Sequence, residues 1–160
     1  MLAKLLQRAC SLGATAATAL PARLLVVAEH FAALCAGPHR CPNYGLAPSC
    51  PPHSQSPAEF RAELAHFHWV LVFRIDVPAT DLRTTKRLAI ARSIHTLATT
   101  LETEAHQYGF TRAGGLAAGS CYELYCTEQG RCLVLTDHLP CPHADQVRPP
   151  FPRWALILRP

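Results

Sequence analysis

Long apolar runs, blocks of like charge and closely spaced cysteine pairs are all missing from this chain of 160 residues. No uninterrupted apolar stretch approaches the ~20 residues that cross a bilayer, which leaves a membrane protein without support. Charged side chains make up only 16% of the sequence, the net charge is +4, and no five like charges run together. A chain of that kind lacks the basic footprint of a nucleic-acid binder. No G-x-G-x-x-G, Walker loop, H-E-x-x-H or G-x-S-x-G is present, so nucleotide cradles, zinc proteases and serine hydrolases have no motif to rest on. Glu102 and Glu104 are two apart on a helical stretch and face different ways, which argues against paired-carboxylate catalysis.

What is present is enough apolar content, 49%, for one ordinary core, together with eight cysteines and fourteen prolines. The first residues, Met1 to Ala22, loosely imitate a signal peptide, with Lys4 and Arg8 ahead of an alanine-rich run. Leu2, Leu5, Leu6 and Ala9 nevertheless recur at helical spacing, and Gly13 stands where a helix would stop. A short amphipathic helix followed by a strand fits better, and the expected location is the cytoplasm. Cys10 lies on that helix and is expected to pack there.

Further elements follow from local pattern. Ala14 to Leu20 and Arg23 to Ala32 read as strands. Ser56-Pro57-Ala58-Glu59 has the cap, first-turn proline and early acid of a helix start, for a helix to about Ala65. Trp69 to Ile75 has the β-branched and aromatic content of a buried strand. Asp81 is placed to cap a long helix to about Tyr108, with Ile90, Ile94, Leu97, Leu101, Ala105 and Tyr108 as its inner stripe. Phe110 to Ala118 and Trp154 to Leu158 complete the strands. The expected class is α/β or α+β, a mixed sheet flanked by helices, in one cysteine-rich domain over 1–160.

Regular structure gives way in two segments. Cys35 to Pro57 holds six prolines, three cysteines and two glycines, and Gly119 to about Pro152 holds the other cysteine group. Both show the spacing C-x5-C-x8-C: Cys35, Cys41 and Cys50 recur 91 positions later as Cys126, Cys132 and Cys141. Arg40 and Arg131 precede the middle cysteines, and Pro51 and Pro142 follow the last ones. Each loop comes after helix, glycine and small-residue strand, and each leads into a strand from tryptophan to arginine. The pattern suggests a duplicated unit, about 2–76 and 92–160, whose loops either face each other or form two equivalent sites.

Proline-rich loops of this length need an internal tie, and thiolates around a metal supply one. Disulfides would need an oxidising compartment. Structural zinc favours pairs such as C-x2-C, and only Cys121-x4-Cys126 comes near. Iron–sulfur clusters accept wider spacing, and a cluster cysteine followed by proline is known in ferredoxin runs; Cys41-Pro42, Cys50-Pro51 and Cys141-Pro142 have it. The second loop offers four thiols, Cys121, Cys126, Cys132 and Cys141, enough for one four-iron, four-sulfur cluster. The first offers three, which leave one iron open for a substrate or a ligand such as His39 or His53, or else join thiols of the other loop in a single shared site; His138 and His143 flank Cys141 and suit zinc.

Cys41-Pro42-Asn43-Tyr44-Gly45, Ser49-Cys50-Pro51-Pro52-His53-Ser54, Tyr108-Gly109-Phe110, Ala117-Ala118-Gly119-Ser120-Cys121, Cys141-Pro142-His143 and Val147-Arg148-Pro149-Pro150 together resemble a prokaryotic family of unknown function labelled predicted metal-binding proteins. The resemblance implies metal binding and no established reaction. Carried over position by position, it implies Cys41, Cys50, Cys121 and Cys141 first, then Cys126 and Cys132, then Cys35. The expected function is an iron–sulfur module in electron transfer, with a redox partner protein, or an accessory to a redox or cofactor system. Alternatives are a structural zinc protein acting as an interaction module, and an enzyme with an open cluster iron.

Overall fold

The computed structural model describes residues 1–148 and 155–159. Helix α1 spans Leu2–Ser11 and buries Leu5 and Ala9 completely, one turn apart on one face. It stops at Leu12, and Gly13 takes the left-handed φ of 105° that lets the chain reverse into β1, Ala16–Pro21. Strand β2, Trp69–Arg74, pairs antiparallel with β1, and Helix α4, Lys86–Gln107, leads through Gly109, φ 88°, into β3, Arg112–Leu116. Strand β4 is Ala155–Arg159. The sheet runs β1-β2-β4-β3, and every neighbouring pair is antiparallel. The fold is therefore α+β.

Strand alternation sets the two layers. Leu71 and Phe73 point to the face covered by α1 and α4, where they pack with Leu5, Ala9, Leu97 and Leu101. Val70 points the other way and joins Phe60 and Leu64 of α3, Pro57–Leu64. Fully buried side chains of this size contribute about 1.5–3 kcal/mol each. Helix α3 begins as its sequence predicts: Ser56 Oγ accepts from the Glu59 N–H, and the Glu59 carboxylate accepts from the Ser56 N–H at 2.7 Å.

Several expectations need correction. Arg23 to Ala32 is not a strand: a 3-10 turn at Ala22–Leu24 and helix α2, Glu29–Ala36, take its place. Glu29 in the first turn and the alanines at 28, 32, 33 and 36 favour helix, and among the described strands β1 pairs only with β2. Cys35 thus ends a helix rather than opening a loop. Asp81 caps nothing; Asp81–Arg83 is a separate 3-10 turn, and α4 starts at Lys86 without a side-chain cap. Cys10 is exposed, because the buried face of α1 is used by Leu5 and Ala9. Trp154, expected to open the last strand, lies outside the described residues.

Among the described residues no helix is long and apolar enough to cross a membrane. The pairing also fixes where the two cysteine segments leave the sheet. Pro21 lies opposite Trp69, so the first departs from one end; Leu116 lies opposite Ala155, so the second departs from the other. Trp69 lies opposite Leu158, which puts those two ends at opposite edges of the sheet.

Candidate metal centre

The first cysteine segment is a chain of tight turns. The Cys41 N–H donates to the Cys35 carbonyl at 3.2 Å, the Tyr44 N–H to the Cys41 carbonyl at 3.0 Å, and the Ser54 N–H to the Cys50 carbonyl at 3.1 Å. The second is more structured than its composition suggests. Cys121 opens a π-turn, Tyr122–Cys126, and Cys132 stands immediately before the short helix α5, Leu133–Thr136. The wider winding of a π-turn brings positions five apart toward one side, which suits Cys121 and Cys126.

The two segments meet although they leave the sheet at opposite ends. Ser49 Oγ and Cys121 Sγ are 3.2 Å apart, and the Cys50 thiol donates to Ser120 Oγ at 3.4 Å. Two Ser-Cys dipeptides thus cross, each hydroxyl meeting the other's thiol, beside Ala47, Tyr122 and Val147. Asn43 Nδ2 donates to Glu123 Oε2 at 3.1 Å, and Glu123 also pairs with Arg87 of α4. The Arg87 hydrogen bond is the main reason the Glu123 carboxyl sits below its ordinary range. Arg92 of α4 donates to the Leu124 carbonyl at 2.7 Å.

Cys50, Cys121 and Cys132 are buried, while Cys35, Cys41, Cys126 and Cys141 are half-buried; all are free thiols. Burial pushes the Cys35 thiol up, and Cys41 and Cys50 add to the rise. Burial also raises Cys121, against the pull of the Ser49 hydroxyl and with Cys50, Cys132 and Cys141 adding to it. Cys126 is raised by burial first, then by Cys121, Cys132 and Cys141. Cys121 and Cys126 therefore lie within electrostatic reach of each other and of Cys132 and Cys141, and Cys121 also reaches Cys50 of the first segment. Among the described residues, no three His, Cys, Asp or Glu side chains converge closely enough to hold a single metal ion. His39, His53 and His138 are exposed, and His143 stacks on Tyr125 at 5.1 Å between ring centres.

A clamp holds the far end of the second segment to α4. The Arg148 N–H donates to His95 Nδ1 at 3.0 Å, and Arg148 Nε to Glu102 Oε2 at 2.9 Å, an oxygen that also accepts the Gly115 N–H of β3. His95 is fully buried, and its Nε2 has no hydrogen-bond partner among the described residues. Burial holds its pKa below the ordinary histidine value, with the Arg148 charge lowering it further and the nearby Gly119 backbone acting in the opposite sense. Sequence reasoning passed over His95, set Glu102 aside as half of a carboxylate pair, and quoted Ser49 and Ser120 within motifs without giving them a role. The repeated Ser-Cys dipeptide was the available signal for the serines; nothing local marked the other two.

A small α+β scaffold that loses regular structure where its thiols gather has the make-up of a cysteine-rich metal-binding protein. The chain belongs to the family of predicted metal-binding proteins (DUF2284), whose model matches residues 18–152. No curated protein and no solved structure matches it.

Proposed function

We propose that Cys35, Cys41, Cys50, Cys121, Cys126, Cys132 and Cys141 serve as thiolate ligands to iron–sulfur, of the four-iron, four-sulfur type, and that the protein exchanges electrons with a partner protein or serves a larger redox or cofactor system. The observation that carries this reading is the crossing of Ser49-Cys50 with Ser120-Cys121, which brings thiols from two irregular segments into one buried cluster. A four-iron cluster is itself several ångströms across and accepts donors at wider spacing than a single ion does. The donor set is soft and anionic once deprotonated, and the raised pKa values mark thiols that need a cation beside them to ionise. When bound, such a cluster accepts and releases single electrons.

The chain's own residues do the rest. Ser49 and Ser120 place hydroxyls against thiol sulfur, where hydrogen bonds tune reduction potential. Ala47, Tyr122 and Val147 keep water from that side. Thiols serving as ligands must stay reduced, which supports the cytoplasm as the working compartment. A second reading, structural zinc in an interaction module, is favoured by the one zinc-like spacing, Cys121 to Cys126 across the π-turn.

Anaerobic purification followed by visible spectroscopy and metal analysis separates them. Iron with acid-labile sulfide and a broad visible band that bleaches with dithionite is the expected result. A colourless protein with stoichiometric zinc would establish the second reading, and a protein with neither metal would end both.

A further inference from the structure

The sheet and its two flanking helices carry an internal two-fold relation. Residues of α1 and β1 correspond to those of α4 and β3 at an offset of 96: Gly13 with Gly109, Leu5 with Leu101, Ala9 with Ala105. Both helices end in the same motif. Leu12 has φ −89° and ψ 6°, Tyr108 φ −84° and ψ 6°, and the glycine after each is left-handed. The Ala14 N–H donates to the Ala9 carbonyl at 3.0 Å, and the Phe110 N–H to the Ala105 carbonyl at 3.1 Å.

Strand register obeys the same operation. Arg74 corresponds to Arg159 at an offset of 85, and the pairing Ala16 with Arg74 becomes Arg112 with Arg159, while Leu20 with Val70 becomes Leu116 with Ala155. At the centre, Leu71 pairs with Leu156, its own counterpart, so the axis passes between them. The Arg8 to Glu104 ion pair, 2.7 Å, also joins counterparts and sits on that axis. Chance resemblance of a few cysteines does not produce matched caps, matched registers and self-paired residues together. Offsets of 96, 91 and 85 for the first strand, cysteines and second strand show a second copy shortened on both sides of its cysteine triad.

We infer that the chain is an internal duplication in which each copy carries its own centre, Cys35, Cys41 and Cys50 in one and Cys121, Cys126, Cys132 and Cys141 in the other, adjacent at the Ser49-Cys50 and Ser120-Cys121 crossing. This rests on the iron–sulfur reading above. The centres are unequal. The counterpart of Cys121 is His30, which is exposed on α2 and lies against Phe31 with ring centres 4.1 Å apart. An α-helix sets positions five apart about 140° around its axis, so His30 and Cys35 diverge where the π-turn draws Cys121 and Cys126 together. The first centre therefore has three protein ligands and one position for an exogenous donor, a small thiolate or cyanide-like ligand, whereas the second is closed by four thiolates.

Iron and acid-labile sulfide per chain, with electron paramagnetic resonance of the dithionite-reduced protein, test this on anaerobically purified full-length chain. Two centres give about seven to eight irons, a single one about four. Cys41→Ser and Cys35→Ser should each remove one spectral component and about half the iron, and Cys126→Ser the other. Potassium cyanide should perturb only the component lost in Cys41→Ser. About four irons in the unaltered chain, with one spectral component that is lost in every variant, would overturn the two-centre assignment and leave the iron–sulfur reading intact. Cyanide acting on the component lost in Cys126→Ser would overturn the assignment of the open position. No iron in the unaltered chain would remove the underlying reading itself.

Discussion

His95 shows how one side chain can tie a cysteine-rich segment to its scaffold. It is fully buried on α4 and accepts the Arg148 N–H through Nδ1, so it must be neutral in the fold. Its depressed pKa has a definite consequence. Below about pH 6.5 the unfolded chain binds a proton that the folded chain does not, so stability falls with falling pH and levels off above that value. Urea midpoints measured between acid and neutral pH should show this slope, and His95→Asn, which keeps an acceptor near Nδ1, should flatten it; an unchanged slope would exclude His95 as its source. Gly115 is a second such position. A Cβ there would meet Glu102 Oε2 at 2.8 Å and the Ala98 carbonyl oxygen at 2.9 Å. Glu102 is held by Arg148 and cannot swing aside, so Gly115→Ala should destabilise by about 1–3 kcal/mol in denaturant titrations at constant m value.

Helices and strands here differ in how plainly their sequences announce them. The capping box of α3 stands in Ser56-Pro57-Ala58-Glu59, and Ser56→Ala should cost about 1 kcal/mol of stability by thermal denaturation, as loss of a reciprocal cap does. The inner stripe of α4 was equally plain: Ile94, Leu97, Leu101 and Ala105 are buried as their spacing requires. Strand β2 declared itself by Trp69 to Phe73. The run Leu24 to Val27 misled, because a short apolar run does not say whether a partner strand exists; here the chain turns into α2, which buries none of its residues. The π-turn at Tyr122–Cys126 has no sequence signature of its own, since it differs from an α-turn only in which carbonyl the N–H groups meet.

Taken together, the molecule consists of a packed sheet-and-helix body and two cysteine segments with little core of their own. Removal of metal should therefore act unevenly. In hydrogen exchange, chelator-treated protein should lose protection over 37–54 and 119–146 while β2 and α4 keep theirs, because a bound metal stabilises the state that binds it. Equal loss throughout would mean that the metal holds the whole fold. The body rests on side chains such as Leu71, fully buried between α1, α4 and the sheet. Leu71→Ala should destabilise by about 2–5 kcal/mol by calorimetry, with or without metal.

Local periodicity, caps and cysteine spacing were enough to locate α1, α3 and α4, all four described strands, the thiols and the hint of duplication, while α2 and α5 went unseen; what was legible depends on neighbours a few positions away or on a repeat that can be counted. The meeting of segments that leave opposite ends of the sheet could not be counted in that way. Ser49 touches Cys121, Asn43 touches Glu123, and Arg148 reaches His95 and Glu102, all across large sequence separations. Such contacts exist only because the packed sheet and α4 carry distant stretches of chain to the same place, and no pattern along the chain encodes that route.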